Sequence, residues 1–293
     1  MNRRRREANK KLVIVGAIVI VIALLAIIYL FIFSHIEANQ LRSTQTPSPS
    51  PLASPELPLD YTNLTLPPSE MVDVKVLMYH HIGPLPSDAD DIRKGLTVSA
   101  DDFEKQMKYL KENGYDVITL RDMYLKIAEG KLLPKTAVLT FDDGYVDNYE
   151  YALPILQKYG FHGTFFIITG KVDNAEYMSK AQLIELVRAD NELGSHSVTH
   201  PDLVNLSASK LDYEISESKK YLDELAAELA GEKTISLCYP SGEYNAQVID
   251  EAKASGYKIA VTTHKGDSFS TNMIFEVPRY RINPDTNLEK LLE

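Results

Sequence analysis

Hydrophobic and polar positions divide the chain into three parts. Residues Leu12 to Phe33 form an apolar run that no charged side chain interrupts, and Ser43 to Ser69 is rich in proline, serine and threonine. From about Val72 onward, short apolar runs alternate with stretches whose apolar residues recur at helical spacing. This last pattern is typical of a folded domain that contains both strands and helices.

The first apolar run is long enough to cross a membrane as one helix. About 20 residues, each rising about 1.5 Å, span the hydrocarbon core of a bilayer, whereas a cleaved signal peptide usually has an apolar core of about 7–15 residues. The basic residues before the run, which should stay cytoplasmic, are Arg3, Arg4, Arg5, Arg6, Lys10 and Lys11. We expect a cytoplasmic tail at 1–11, a retained single-pass anchor at 12–34, a linker at 35–71 and an extracellular catalytic domain at 72–293.

The folded region alternates predicted strands with predicted helices. The strand candidates are Val74–Tyr79, Asp116–Thr119, Ala137–Phe141, Gly163–Ile168, Glu192–His196, Ile235–Tyr239, Ile259–Thr262 and Phe275–Ile282. The helix candidates are Asp101–Asn113, Tyr149–Tyr159, Lys180–Ala189, Ser207–Leu229 and Ala246–Ala254. Repeated strand–helix units imply parallel pairing, and seven or eight units predict one (β/α) barrel. An open doubly wound sheet is less favoured, because no glycine-rich phosphate loop follows an early strand.

The charge of the predicted extracellular part limits the class of partner. The chain has a formal net charge of −10; six basic residues and Glu7 give residues 1–11 a charge of +5, which leaves −15 for the remainder. Such an acidic domain would repel nucleic acid, so we expect no nucleic-acid partner. No protein partner is evident either. The single cysteine, Cys238, excludes an internal disulfide and is expected to be a small buried residue.

Two adjacent carboxylates follow one predicted strand. The run Ala137–Phe141 leads directly into Asp142, Asp143 and Gly144. Neighbouring carboxylates repel each other unless a positive group lies beside them, and a metal ion would supply that charge. An ordinary Asp-Asp-Gly turn is the alternative interpretation.

Two histidines follow another predicted strand. His196 ends the run that starts at Glu192, and His200 comes four residues later. Two imidazoles and one carboxylate leave a fourth position open for water, which is the arrangement of a catalytic zinc site. A structural zinc site would need four protein ligands, and cysteines are lacking. We therefore expect a divalent metal, with Zn²⁺ first and Co²⁺, Ni²⁺ or Fe²⁺ as ions that accept the same ligands.

These two motifs carry a family resemblance. Thr140-Phe141-Asp142-Asp143-Gly144 and His196-Ser197-Val198-Thr199-His200 resemble the first two motifs of the polysaccharide deacetylases, the NodB-homology domain of carbohydrate esterase family 4. The similarity extends from about Val74 to the C-terminus. It implies a distorted (β/α) barrel in which Asp143, His196 and His200 bind the metal and Asp142 is the general base.

The third motif departs from the family pattern. Relatives have an arginine that orients the catalytic aspartate, whereas Cys238 stands at that position in Cys238-Tyr239-Pro240-Ser241-Gly242. The proline–glycine turn is kept, so the backbone N–H of Ser241 is a candidate oxyanion donor. Arg279 and Arg281 on the last predicted strand are the available substitutes for the missing arginine, and exposed surface charges are the alternative.

A histidine early in the chain is the candidate general acid. The first predicted strand ends in Tyr79-His80-His81, which resembles the branch that includes the poly-N-acetylglucosamine deacetylases. By that match we assign the acid to His80. Strand alternation then lets His81 face outward or bond to backbone, and His264 is a weaker rival for the acid.

The expected function is the removal of N-acetyl groups from a cell-surface polysaccharide that contains N-acetylglucosamine, either an exopolysaccharide or peptidoglycan. Tyr145 and Tyr239 are candidates for a sugar-stacking platform, with ordinary packing as the alternative. An O-acetyl esterase acting on a wall polymer would use the same site chemistry. A sugar-binding protein that has lost turnover is the third hypothesis, and only the missing arginine favours it.

Overall fold

The computed structural model describes residues 64–131, 133–229 and 233–292. The predicted cytoplasmic tail, the predicted anchor and most of the predicted linker lie outside the described residues. Within the described ranges, none of the helices combines the length and the hydrophobicity that crossing a bilayer requires.

The strands of the described residues are short and mostly buried. They are β1 Met71–Asp73, β2 Lys75–Tyr79, β3 His81–Ile82, β4 Thr97–Val98, β5 Asp116–Ile118, β6 Thr136–Phe141, β7 Thr164–Ile167, β8 Glu192–Ser195, β9 Ser236–Cys238, β10 Ile259–Val261, β11 Ser268–Ser270 and β12 Tyr280–Arg281. Each of the eight predicted strand regions contains a pairing segment. The other four, β1, β3, β4 and β11, are two- or three-residue strands of small separate sheets.

Helices connect the successive strands. The α-helices are α1 Asp91–Leu96, α2 Ala100–Glu112, α3 Leu120–Ala128, α4 Leu153–Tyr159, α5 Lys180–Arg188, α6 Ala208–Asp212, α7 Ser218–Ala227, α8 Ala246–Ala254 and α9 Leu288–Leu292. Side-chain caps begin several of them. Ser99 caps α2, while Thr119 with Asp122 and Ser179 with Gln182 form capping boxes at α3 and α5.

The main sheet is parallel throughout and curls. Its strand order is β10-β9-β8-β7-β6-β2-β12, and β5 lies beside β6. Val277, shortly before β12, forms a parallel bridge with Val261 of β10, while β12 itself pairs with β2. The last segment therefore contacts strands near both ends of this order, and this curled parallel sheet fits the predicted (β/α) barrel. Fully buried apolar residues on both of its faces form the core.

Two predicted helices are interrupted. The predicted helix Ser207–Leu229 consists of α6, a π-helical turn at Tyr213–Glu217 and α7. A similar π-helical turn at Asn148–Ala152 precedes α4. Such turns insert one residue into the helical repeat and often occur at functional sites, and both turns here carry residues that contact the site described below.

The last predicted strand is shorter than expected. Only Tyr280–Arg281 pairs as a strand, and Pro278 separates it from the bridge at Val277. A proline has no N–H to donate to a sheet ladder, so continuous pairing through this position is excluded.

The end of the predicted linker belongs to the folded domain. The Thr271 hydroxyl donates to the Pro67 carbonyl at 2.6 Å, and the Ser69 N–H donates to the Asn272 side chain at 3.2 Å. Leu64 and Leu66 pack against the hydrophobic core. Residues 64–71 therefore contact the barrel, in contrast to the semi-extended tether that their composition predicts.

Candidate active site

The polar residues singled out in the sequence meet in one pocket. A cavity of about 560 Å³ opens beyond the carboxyl ends of the strands, where (β/α) barrels carry their chemistry. Nine of the predicted site residues line it: His80, Asp142, Asp143, Tyr145, His196, His200, Tyr239, Ser241 and Arg281. The tenth, Arg279, is fully buried beside this group.

Asp143, His196 and His200 form a three-ligand cluster. Asp143 Oδ1 lies 3.4 Å from His196 Nε2 and 3.7 Å from His200 Nε2. Ligand atoms about 2.1 Å from a tetrahedral zinc ion lie about 3.4 Å from one another, so the spacing fits. Aspartate and histidine donors also suit Co²⁺, Ni²⁺ or Fe²⁺. His200 is partly exposed, which leaves one side of the cluster open to the pocket.

The electrostatics of this cluster favour a positive charge. Burial opposes a charged His196 ring, but the Cys238 sulfur and the Asp143 carboxylate outweigh it and raise the pKa of His196 well above its usual value. Burial would likewise raise the pKa of Asp143, yet its hydrogen bond to His196 holds that pKa below the usual range. A divalent metal bound at this pair would take the place of the proton that these pKa shifts favour.

The ligands stand on strained backbone. Asp143, Ser197 and His200 all have left-handed conformations, with φ of 72°, 63° and 61°. Non-glycine residues rarely adopt such angles, and they persist where the surrounding structure enforces them, often at functional sites. Here they turn the side chains that follow β6 and β8 back toward a common point.

A backbone carbonyl fixes the orientation of His196. Nδ1 of His196 lies 2.8 Å from the carbonyl oxygen of Cys238. A carbonyl only accepts, so Nδ1 must donate and the other ring nitrogen, Nε2, is free to bind a metal. Cys238 therefore supports the cluster through its main chain, whatever its side chain does.

Glu214 is a functional residue that the sequence analysis missed. Its carboxylate accepts the backbone N–H groups of Val198 and Thr199, at 2.9 and 2.8 Å, and the Thr199 hydroxyl at 2.6 Å. These groups lie between the two histidine ligands. Glu214 is buried on the π-helical turn, one residue before the buried Ile215. An acidic residue next to an apolar position of a predicted helix was the available signal.

Arg279 holds Asp142 by two hydrogen bonds. Its Nη1 and Nη2 donate to the two carboxylate oxygens of Asp142 at 2.7 and 2.8 Å. Nη1 also donates to the Thr140 hydroxyl, and Nε donates to the Thr262 carbonyl. Burial alone would raise the pKa of Asp142, but the Arg279 charge holds it well below its usual range. The alternative of an exposed surface charge therefore does not apply to Arg279.

Cys238 lies against the same guanidinium. Its sulfur is 3.1 Å from Nη2 of Arg279 and 3.7 Å from Asp142, and the residue is fully buried, as the sequence predicts. A short side chain at this position leaves space that Arg279 enters from the segment before β12. Arg281, two residues later, is exposed at the pocket rim.

His80 faces the Asp142 carboxylate. Its Nε2 lies 4.0 Å from Asp142 Oδ2, and its backbone carbonyl accepts from the Asn148 side chain on the first π-helical turn. Burial lowers the pKa of His80 to about 4, although Asp142 and Asp143 act in the opposite direction. The rival, His264, is exposed and packs edge-on against Tyr244, outside the pocket lining.

The expectation for His81 was wrong. The ring is buried and its Nδ1 lies 2.7 Å from Asp147, which Arg93 also contacts at 3.0 Å. The physical reason is that β2 ends at Tyr79 and β3 starts at His81, so strand alternation does not continue through His80. The ring also stacks on Tyr145, with centroids 3.6 Å apart.

The two tyrosines that were predicted to stack on a sugar differ in their exposure. Tyr145 is partly exposed and lies between His81 and Tyr177, whose ring centroid is 5.3 Å away. Tyr239 is fully buried, its hydroxyl donates to the Phe275 carbonyl at 3.0 Å, and its ring stacks on Tyr244. The proposed stacking role of Tyr239 is therefore wrong, because its ring offers no free face to a sugar.

Ser241 lies in a tight turn at the pocket wall. It is exposed and has a left-handed conformation, with φ of 58°. Gly242 follows with φ of 78°, and a Cβ there would meet the Thr263 hydroxyl at 2.1 Å. The glycine is thus required for the turn that brings the Ser241 backbone to the pocket.

Comparison with known proteins agrees with the motifs. A family model described as polysaccharide deacetylase matches residues 129–260. The Bacillus subtilis (strain 168) protein YxkH, itself named at family level as a polysaccharide deacetylase, is 30% identical over 226 residues, which cover 77% of both chains. The chain belongs to the polysaccharide deacetylase family. It is therefore a member of an enzyme family of hydrolases, as predicted.

Two further relatives are informative for this polysaccharide deacetylase. The poly-beta-1,6-N-acetyl-D-glucosamine N-deacetylase of Staphylococcus aureus (strain MSSA476) is 28% identical over 206 residues, covering 66% of this chain and 70% of the relative. The structure of the Streptococcus pyogenes deacetylase PplD in complex with acetate superposes with a TM-score of 0.69. It is 32% identical and covers 76% of this chain and 98% of PplD.

Proposed function

We propose that this polysaccharide deacetylase is a metal-dependent N-deacetylase that removes acetyl groups from N-acetylglucosamine residues of a cell-surface polysaccharide. One observation carries the proposal: a carboxylate held by an arginine, Asp142, stands directly beside a three-ligand cluster that suits a catalytic metal. The resemblance assigns the same division of roles to the two adjacent aspartates.

The metal would be held by Asp143, His196 and His200, and zinc is the ion we propose. When bound there, it would activate water as a nucleophile and polarise the acetamide carbonyl. Glu214 and the Cys238 carbonyl keep the ligand loop and the His196 ring in place.

Asp142 would act as the general base. Its position one residue from a ligand brings it within reach of water at the metal, and a carboxylate kept ionised by Arg279 can accept that proton. The two-point contact with Arg279 also fixes the plane of the carboxylate, which a single point charge would not do.

His80 would deliver a proton to the leaving amine. Its Nε2 lies 4.0 Å from Asp142 Oδ2, so a proton has a short path from base to acid. The exposed backbone of Ser241 would donate to the oxygen on which negative charge develops. Tyr145 already stacks on His81 and Tyr177, so its partly exposed edge, rather than a free face, would contact the sugar.

Relatives support the substrate class. The S. aureus relative is named for N-deacetylation of poly-beta-1,6-N-acetyl-D-glucosamine, and the PplD structure contains acetate, the expected product. The missing third-motif arginine, which alone favoured a sugar-binding protein without turnover, is matched by Arg279 beside Asp142.

We also propose that the catalytic domain works outside the membrane, on the anchor predicted at residues 12–34. The basic residues before that run and the absence of charge within it support this orientation. A protease added to intact cells that express the full chain should then remove the catalytic domain and leave a short membrane-bound fragment. Full protection of the chain until the cells are lysed would contradict the proposed orientation.

The activity test counts two products from the purified full chain. After removal of metal and reloading with zinc, cobalt or nickel, acetate and free amine should appear in equal amounts from N-acetylglucosamine oligomers. An O-acetylated glycan serves as the matched ester substrate. Acetate without new amine would indicate the O-acetyl esterase instead. No acetate from either substrate, with metal bound, would contradict the proposed function.

A further inference from the structure

Two cationic side chains flank the catalytic group on opposite sides. Lys171 ends the short 3₁₀ helix that follows β7, and Arg281 ends β12; both line the pocket. The strands β7, β6, β2 and β12 lie side by side in that order. In this order β6 and β2, whose ends carry the proposed catalytic residues, lie between β7, which leads to Lys171, and β12, which carries Arg281.

The backbone at each cation is fixed relative to the site. Gly170 donates to the Val198 carbonyl at 2.8 Å, and a Cβ at Gly170 would meet that oxygen at 2.6 Å. The helix of Lys171 is thus pressed against the metal-ligand loop. Arg281 pairs with Met78 of β2 and follows Arg279 by two residues. Because side chains alternate along an extended backbone, both arginines lie on the same face of this segment.

The pocket leaves both charges unmatched. Its acidic lining residues are Asp142, which is bound by Arg279, and Asp143, which belongs to the metal cluster. Among the ion pairs of the described residues, none joins Lys171 or Arg281 to a carboxylate; Lys171 instead lies over the Tyr177 ring at 5.9 Å. This positive pocket belongs to a chain whose formal net charge is −10.

We propose that the natural substrate is an anionic glycan, with carboxylate or phosphate groups on sugars next to the N-acetylglucosamine that is deacetylated. This inference rests on the proposed N-deacetylase function and narrows its substrate class. A guanidinium and an ammonium bind carboxylates and phosphates through charge-assisted hydrogen bonds, whereas a neutral polymer makes no use of them. The same two cations disfavour neighbouring glucosamine residues, which are positively charged after deacetylation.

The experiment compares three soluble substrates with the metal-loaded full chain. They are neutral N-acetylglucosamine oligomers, peptide-free strands of alternating N-acetylglucosamine and N-acetylmuramic acid, and N-acetylglucosamine oligomers linked through phosphate. We expect kcat/KM for one of the two anionic substrates to exceed that for the neutral oligomer about tenfold or more at low salt, and the excess to shrink as salt is raised. The anionic substrate that is preferred identifies the carboxylate or the phosphate as the recognised group.

Charge-removing variants test whether these two residues cause the preference. In Lys171→Met with Arg281→Met, the ratio of anionic to neutral kcat/KM should fall about tenfold, toward one. Lys210→Met, at an exposed lysine on α6, should leave that ratio unchanged. Binding of the same three substrates to Asp142→Asn provides a readout that needs no turnover, with the same order of affinities expected.

The outcomes separate the two proposals. Acetate release from all three substrates at equal kcat/KM, or a preference that survives loss of both cations, would overturn the anionic-substrate proposal and leave the deacetylase intact. No acetate from any of the three, together with no preferential binding of the anionic ones, would overturn both. Preferential binding without acetate release would overturn only the deacetylase function.

Discussion

Arg279 and Asp142 form a two-point ion pair in which neither residue reaches solvent to any large extent. Arg279 arrives from the segment before β12, while the family pattern expects an arginine at the position of Cys238, the last residue of β9. In our proposal, the role of orienting the Asp142 carboxylate has thus moved from the end of β9 to the segment before β12.

The first prediction concerns the geometry of this pair. Arg279→Lys keeps the positive charge but loses the planar fork that contacts both oxygens. We expect kcat/KM for acetate release to fall about 10- to 100-fold, the usual effect of losing an orienting partner. Bound metal, measured by elemental analysis, should stay at one ion per chain. Activity within twofold of the wild type would show that Arg279 has no orienting role.

A second prediction concerns whether an arginine at position 238 can replace Arg279. Arg279→Met leaves Asp142 buried without its partner, which should lower the free energy of unfolding by about 3–5 kcal/mol. Adding Cys238→Arg to this variant restores a guanidinium at the position that relatives use. We expect part of the stability and activity to return, as measured by thermal unfolding and acetate release.

The matched control is Cys238→Arg in the wild-type background. There the new side chain competes with Arg279 for a fully packed space, so overpacking should destabilise the protein by about 1–3 kcal/mol. If the double variant is less stable than Arg279→Met alone, an arginine at position 238 cannot replace Arg279.

A third prediction concerns Glu214. In Glu214→Met, the side chain keeps a similar length but has no oxygen that can accept the backbone N–H groups of Val198 and Thr199. The ligand loop then loses its support, and metal affinity should fall about 10- to 100-fold in a chelator competition assay. Glu217→Met, on the same π-helical turn but exposed, is the control and should bind metal like the wild type.

The sequence predicted the general architecture and most of the site; it offered Arg279 as one of two candidate supports for Asp142, and it did not indicate Glu214. Runs such as Ala137–Phe141 are continuous and apolar because β6 is buried on both faces, so their type and order could be recognised. Motif residues such as Asp143 and His196 stand directly at strand ends, where spacing indicates their role.

The contacts that support these residues are formed between segments distant in the sequence. Glu214 acts on a loop 15 residues away and Arg279 on a carboxylate 137 residues away, and no periodicity links such pairs. His81 and Tyr239 were misjudged for a related reason. Their environments depend on a break between two strands and on a carbonyl of Phe275, which only the folded chain brings into place.

A fourth prediction concerns the acid stability of the metal-free chain. Burial gives His80 a folded pKa of about 4, below its ordinary value of 6.5. As the pH falls from 7 to 4, the unfolded chain takes up this proton first, so the folded state loses stability over that window. In the presence of a chelator, the wild type should lose about 2–3 kcal/mol more than His80→Gln between pH 7 and pH 4.

Denaturant unfolding of the two proteins across this pH range measures the difference. Above pH 7 the pH dependence of the two curves should be parallel, since neutral His80 no longer exchanges a proton. Equal losses of stability down to pH 4 would mean that His80 keeps an ordinary pKa in the folded state.

The most direct test of the central claim is acetate release by Asp142→Asn with its metal content measured in the same sample. Asparagine keeps the shape of the side chain but cannot accept the proton. We predict an activity loss of about 10²–10⁴-fold, with one metal ion still bound through Asp143, His196 and His200. An Asp142→Asn protein that binds metal and retains more than about a tenth of the wild-type activity would contradict the assignment of Asp142 as the base.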